Sequence, residues 1–297
     1  VTSIHHVVVV GGGTMGRGIA ELLASRGLET TVLEQSEESA RQAVHHIELS
    51  LDKQLAKWGI TPAEKKLTLS RIRATSDPEA LRNADLVIES VYEDLDTKKS
   101  VFRLCDQFCR PDVILASNTS TLSITEIAAV TNRPDRVIGL HFVPPVQKIP
   151  VVEVVRGLKT SGETVQNIVE LLGLLEMEGI EVYESPGFVT TRLICLLINE
   201  AVYTLMEGVA TAEDIDRAMK VGYQFHAGPL EMADRFGLDS VLAALERLFR
   251  EFGDTRYRPA PMLKKMVRAG HLGVKTGEGF FRYTEDGERI AGEEERA

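Results

Sequence analysis

The chain has 297 residues, 43% of them apolar and 26% charged, which suits a soluble globular protein with room for two domains. Its formal net charge of -10 argues against a general nucleic-acid or anionic-membrane binder, while leaving room for a local basic pocket. The three cysteines, Cys105, Cys109 and Cys195, form an odd, sparse set that fits reduced thiols in a cytoplasmic protein.

Short apolar runs alternate with helical patterns through the first half. Val7–Val10, Thr30–Leu33, Leu86–Glu89, Val113–Ala116, Val137–His141 and Val151–Val155 read as strands. Val, Ile and Leu fill both of their faces, as in a parallel sheet covered on both sides. Helix starts lie between them. Arg17–Ser25 reads as a helix, Thr61-Pro62-Ala63-Glu64 as a capping box, Asp77-Pro78 as another start, and Ser123 with Glu126 as a second box. Near Ser185-Pro186 the pattern changes. Helices are expected over Pro186–Glu207, from Thr211, and near 229–236, 238–252 and 260–269, with strand alternation returning at Gly279–Tyr283. The predicted fold is therefore α/β: a Rossmann-type, doubly wound domain over 1–185, then an all-helical domain over 186–297. The charged tail after Tyr283 is expected to fray. The run Phe188–Met206 contains Arg192, Asn199 and Glu200, so it reads as a buried helix and not a membrane span. Its apolar stripe is assigned to core and to an interface between two copies. No metal is expected, because Cys105 and Cys109 lack a second ligand pair and the His5-His6 and His45-His46 pairs read as surface residues. Trp58 reads as a packing anchor in preference to an adenine platform.

The run VVVVGGGTMGRG places G-x-G-x-x-G directly after a strand and before a helix. Gly11 permits the tight turn, Gly13 lets a pyrophosphate approach the backbone, and Gly16 lets the helix lie close to the strand. Thr14 and Met15 open a helix whose free N–H groups and partial positive charge suit phosphate. Glu34 follows the second strand, where a carboxylate accepts ribose hydroxyls and repels a 2′-phosphate. No Arg follows it in Gln35-Ser36, so NAD is expected over NADP. A glycine turn used only for packing is the rival reading.

His141 ends a strand, where such sheets place their ligands. Glu153 sits between valines in the next strand, and an acid there is costly unless paired. A His–Glu pair would make His141 a general base whose tautomer Glu153 fixes. A structural histidine at a strand end is the alternative.

These residues, with the stretches ASNTSTLSI, RPDRVIGLHF, PGF, GPLEMADRFGLD and LGVKTGEGFFRY, resemble the (S)-3-hydroxyacyl-CoA dehydrogenase family over nearly the whole chain. The resemblance implies an NAD-binding domain, a helical domain that forms a homodimer, and an acyl-CoA substrate with a short chain such as 3-hydroxybutyryl-CoA. It implies His141 as base and Glu153 as its partner. It sets Ser120 either at the substrate oxygen or where it positions the catalytic water and His141, Glu93 and Lys98 near the nicotinamide ribose, Lys275 on the cofactor side, and Lys53 and Lys57 near CoA. Two departures fall at the site. Thr191 stands where the family has an Asn that contacts the reacting oxygen, and Pro144 replaces another Asn near the nicotinamide. Pro150, in place of a lysine, resembles relatives that oxidise free hydroxy acids. Two rival readings follow: an NAD-dependent dehydrogenase of a free or carrier-protein-bound hydroxy substrate, and a catalytically weak NAD(H)-binding protein.

Overall fold

The computed structural model describes residues 4–290, which divide into two compact units at Phe188/Val189. The first unit begins with β1 (His6–Val10), α1 (Thr14–Ser25), β2 (Glu29–Leu33), α2 (Glu37–Ala56), α3 (Pro62–Ser70), β3 (Ile72–Thr75) and β4 (Leu86–Glu89). It continues with α4 (Leu95–Phe108), β5 (Ile114–Ser117), α5 (Ile124–Ala128), β6 (Val137–Phe142), β7 (Val151–Arg156), α6 (Gly162–Leu174) and β8 (Glu178–Tyr183). All eight strands form one sheet in the order β3-β2-β1-β4-β5-β6-β7-β8.

Strand alternation explains the core. Val7 and Val9 face one buried layer with Ile19, Leu23 and Ile47, while Val8 and Val10 face the other with Phe102 and Leu115. Each fully buried valine contributes roughly 1.5–3 kcal/mol. Neighbours from β3 to β6 pair in parallel, and the order reverses between β1 and β4. That reversal opens the crevice in which such sheets bind ligands.

The structure corrects several expectations. The sheet is not wholly parallel, because β7 runs antiparallel to β6 and β8 then follows β7. The connection 143–150 is shorter than the dozen or so residues a parallel crossover requires. β3 and β8 had no clear signal. β3 buries only Ile72, and β8 only Val182, as edge strands facing solvent do. The start at Asp77-Pro78 is a 3₁₀ turn, Pro78–Asn83, capped by Asp77. The capping box at Thr61 and Glu64 is present in full.

The second unit holds α7 (Thr190–Met206), α8 (Ala212–Tyr223), α9 (Pro229–Phe236), α10 (Leu238–Phe252) and α11 (Pro261–Arg268) around a core of Ile198, Val202, Leu230, Leu245 and Leu263. The helix expected from Pro186 begins at Thr190. Gly279–Tyr283 forms isolated bridges in place of a strand. Over 284–290 the tail folds back, with Ile290 N–H on Arg282 O (2.8 Å) and the Arg289 guanidinium over the Phe281 ring. The rest of the tail expected to fray, 291–297, lies outside the described residues. No helix among the described residues is long and apolar enough to cross a membrane.

Candidate active site

The glycine turn is built as its sequence demands. Gly11 takes φ +99°, and a side chain there would fall 2.8 Å from Ser90 O, on the loop after β4. A Cβ on Gly16 would lie 1.8 Å from Gly11 O, so α1 can start against the turn only with glycine at this place. Gly13 is different. It is exposed, no atom lies within 4 Å of its would-be Cβ, and no side chain caps the helix it begins. Thr14 is also exposed and Met15 half-buried. An open backbone at the N-terminus of a twelve-residue helix suits a pyrophosphate.

Glu34 stands at the end of β2, with Oε1 accepting from Gly12 N–H (2.5 Å) and Oε2 from Gln35 N–H (3.2 Å). Arg17, which the motif reading passed over, donates from Nη1 to Gly12 O (3.2 Å). Burial lowers its guanidinium pKa, against the pull of the Glu34 charge. The guanidinium is thereby held at the turn.

His141 and Glu153 are direct partners in the β6–β7 register, which sets both side chains on one face. Nδ1 of His141 lies 2.6 Å from Glu153 Oε2. His141 is 6% exposed and Glu153 fully buried, with the Phe188 ring 5.8 Å from the imidazole. A carboxylate accepts, so Nδ1 carries the proton and Nε2 keeps its lone pair. Nε2 has no hydrogen-bond partner among the described residues. A base oriented from behind and free in front can take a proton.

The loop after β5 carries Ser120, at the same end of the sheet as His141. Glu93 holds this loop. Its Oε1 accepts from Ser120 N–H (3.0 Å), Thr121 N–H (3.1 Å) and the Thr119 hydroxyl. Beneath it lies a buried network that sequence reading missed. Glu89 accepts from Lys98 Nζ (2.6 Å), Val91 N–H (2.7 Å) and Ser117 Oγ (2.6 Å). Lys98 is only 1% exposed, its ammonium spent on Glu89, on Val91 O (3.3 Å) and on Glu93 (3.4 Å). Lys98 thereby supports the loop from below. Asn118 joins the same end, accepting from Phe142 N–H (3.1 Å) and donating to Ser90 Oγ (3.2 Å). Glu89 could have been found by the signal used for Glu153, an acid in an apolar strand.

Other predicted residues lie apart. Pro144 and Pro150 are in the 143–150 connection, whose Val146 is buried against Gly18 of α1. Lys53 and Lys57 are exposed at the end of α2, and neither forms an ion pair among the described residues. Trp58 is 95% exposed, which corrects its reading as a packing anchor. Thr191 is half-buried in the first turn of α7, in the second unit. Lys275, also there, has its ammonium 2.6 Å from Asp239, so the expected cofactor-side cation is already paired. Burial pushes the Cys109 thiol up to about 11 and the Cys195 thiol up to about 12, which disfavours the thiolate at both.

Glycine turn, open helix N-terminus and strand-end carboxylate define a dinucleotide-binding α/β protein, and a histidine paired with a buried carboxylate at the sheet's carboxyl end suits a dehydrogenase. Residues 6–185 match the model of the 3-hydroxyacyl-CoA dehydrogenase NAD-binding domain, and 187–283 that of the family's C-terminal domain. The 3-hydroxybutyryl-CoA dehydrogenase of Clostridioides difficile is 44% identical over 93% of this chain and 99% of its own. That of Bradyrhizobium diazoefficiens is 39% identical over 94% and 96%. The crystal structure of (S)-3-hydroxybutyryl-CoA dehydrogenase from Ralstonia eutropha superposes with a TM-score of 0.88, at 43% identity, over 95% of this chain and 100% of that one. The chain belongs to the 3-hydroxyacyl-CoA dehydrogenase family, NAD-dependent oxidoreductases acting on CH–OH groups, and its cofactor is NAD.

Proposed function

We propose that the chain oxidises a short (S)-3-hydroxyacyl-CoA, such as 3-hydroxybutyryl-CoA, to the 3-oxoacyl-CoA, with His141 as general base. The observation that carries this reading is the 2.6 Å contact of His141 Nδ1 with buried Glu153, which leaves Nε2 free. Gly11, Gly13, Thr14, Met15 and Gly16 would hold the pyrophosphate, and Glu34 the adenosine ribose. When bound, NAD supplies the acceptor for the hydride that leaves C3. Nε2 of His141 takes the 3-hydroxyl proton as the carbonyl forms, and Glu153 stabilises the resulting imidazolium. Ser120 is proposed to donate to the substrate oxygen, its loop fixed by Glu93 and Lys98. Thr191 and Lys275 are assigned to the substrate oxygen and the cofactor on the family match alone. Lys53 and Lys57 would face the phosphates of CoA.

Two copies are proposed to associate through the helical unit, which exposes Leu193 (63%), Val221 (77%) and Tyr223 (73%). Sedimentation of the purified chain should give twice the mass of one chain.

The test of substrate is NADH formation from (S)-3-hydroxybutyryl-CoA against free 3-hydroxybutyrate at matched concentration. Turnover of the thioester alone supports the proposal. Turnover of the free acid alone would replace it with the hydroxy-acid reading that Pro150 suggests. Binding of NADH without turnover of either would make the chain a weak NAD(H)-binding protein.

A further inference from the structure

After β8 the chain turns at Ser185-Pro186-Gly187-Phe188 in two left-handed steps. Phe188 N–H bonds Ser185 O (2.9 Å), which closes a β-turn with proline in its second place. Gly187, in its third place, takes φ +75°, which glycine adopts freely. Phe188 then takes φ +48°. A bulky residue in the left-handed region is strained, because its Cβ crowds the backbone. Strain of this kind persists only where the surroundings hold it, and it gathers at functional sites.

The Phe188 side chain shows what the strain serves. It is 3% exposed, in one buried layer with Leu122, Val155 and Val182. Leu122 closes the loop that carries Ser120, and Val155 lies two places beyond Glu153 on the same face of β7. The phenyl ring also meets the His141 imidazole, with centroids 5.8 Å apart and planes tilted by 56°. Glu153 holds the imidazole at Nδ1 alone, through the 2.6 Å contact. One hydrogen bond on a soft terminal torsion leaves the ring free to swing about that contact. A phenyl ring against it bars the swing, and keeps water from the buried pair.

We infer that Phe188 is a positioning residue for the base: its left-handed backbone presses the phenyl ring onto His141, so that Nε2 keeps one direction. This rests on the reading of His141 as general base and deepens it. Glu153 sets the tautomer, and Phe188 sets the plane.

The test is a double-mutant cycle on the full chain, read by NADH formation from (S)-3-hydroxybutyryl-CoA, with NADH affinity and Tm measured on each protein. Phe188→Ala should lower kcat about tenfold to a hundredfold, the scale of a displaced catalytic group, at unchanged NADH affinity. In a His141→Gln background the same substitution should change kcat less than about twofold, while Tm falls equally in both backgrounds. Phe188→Gly, which relieves the backbone, should melt above Phe188→Ala and share its kcat. Phe188→Leu keeps most of the buried volume, so it should fold and still lose about tenfold in kcat. Equal losses in both backgrounds would make Phe188 a core residue only and overturn the inference. So would full activity in the leucine variant, or activity restored by glycine. All three results would leave His141 as the base. Undiminished turnover by His141→Gln would instead overturn the base assignment, and the inference with it.

Discussion

Glu153→Gln isolates what the buried carboxylate does. The amide has nearly the same volume and can still accept from Nδ1–H, so ring position and tautomer are retained. What disappears is a full negative charge next to the imidazolium proposed to form at His141. With Nδ1 and Oε2 at 2.6 Å, the charge centres are ~4 Å apart. At an effective dielectric near ~20, that charge is worth about 4 kcal/mol. The amide dipole recovers part of it, so kcat should fall by about two to three orders of magnitude at ~1.4 kcal/mol per decade. The assay is the rate of NADH appearance with saturating thioester, alongside NADH affinity and the far-UV spectrum of the variant. NADH affinity and fold should be unchanged. A loss of kcat under about threefold, in a folded variant that binds NADH, would refute the role given to Glu153.

Glu34→Ala removes the acceptor from Gly12 N–H and the carboxylate proposed for the ribose, so KM for NAD should rise about tenfold while the preference over NADP narrows. An unchanged NAD/NADP ratio would count against the ribose assignment. Gly16→Ala drives a methyl to 1.8 Å from Gly11 O, and the forced shift of α1 should cost about 1–3 kcal/mol of stability, read by urea denaturation, and weaken NADH binding. Wild-type affinity in that variant would show that the turn does not hold the phosphates. In the second unit, burial raises the Asp234 carboxyl to about 6, above its ordinary 3.8, despite hydrogen bonds from Phe280 N–H, Phe281 N–H and the Tyr283 hydroxyl. The folded chain therefore holds a proton that the unfolded chain releases, and this group's contribution to stability falls as pH rises from about 4 to about 6. Urea denaturation of Asp234→Asn should show its stability, relative to the parent, rising across that window and flat above it. A pH-independent difference would contradict the raised carboxyl.

The first βαβ unit was legible because each of its parts answers to a local rule. Four valines need burial on both faces, and Gly11 and Gly16 occupy places where a Cβ collides with backbone. The His141–Glu153 pair was legible for a similar reason, since an acid among valines demands a partner. The reversal of β7 was not read, although the short 143–150 connection already forbids a parallel crossover. Edge strands β3 and β8 escaped because solvent on one side removes the apolar pattern that marks a strand. Lys98 is a charge whose burial the sequence does not announce. It lies next to Lys99 in an ordinary-looking helix, and only the fold reveals that it points inward to Glu89. Trp58 errs the opposite way, as a large aromatic that the fold leaves in water.

His141 is proposed to move the proton in a reaction on an acyl-CoA alcohol. The most direct measurement is the rate of NADH formation from (S)-3-hydroxybutyryl-CoA by the parent and by His141→Gln, with NADH affinity measured on both. Rapid turnover by the parent is expected, with a loss of roughly two to four orders of magnitude in the variant at unchanged affinity. Equal rates in the two proteins would contradict it.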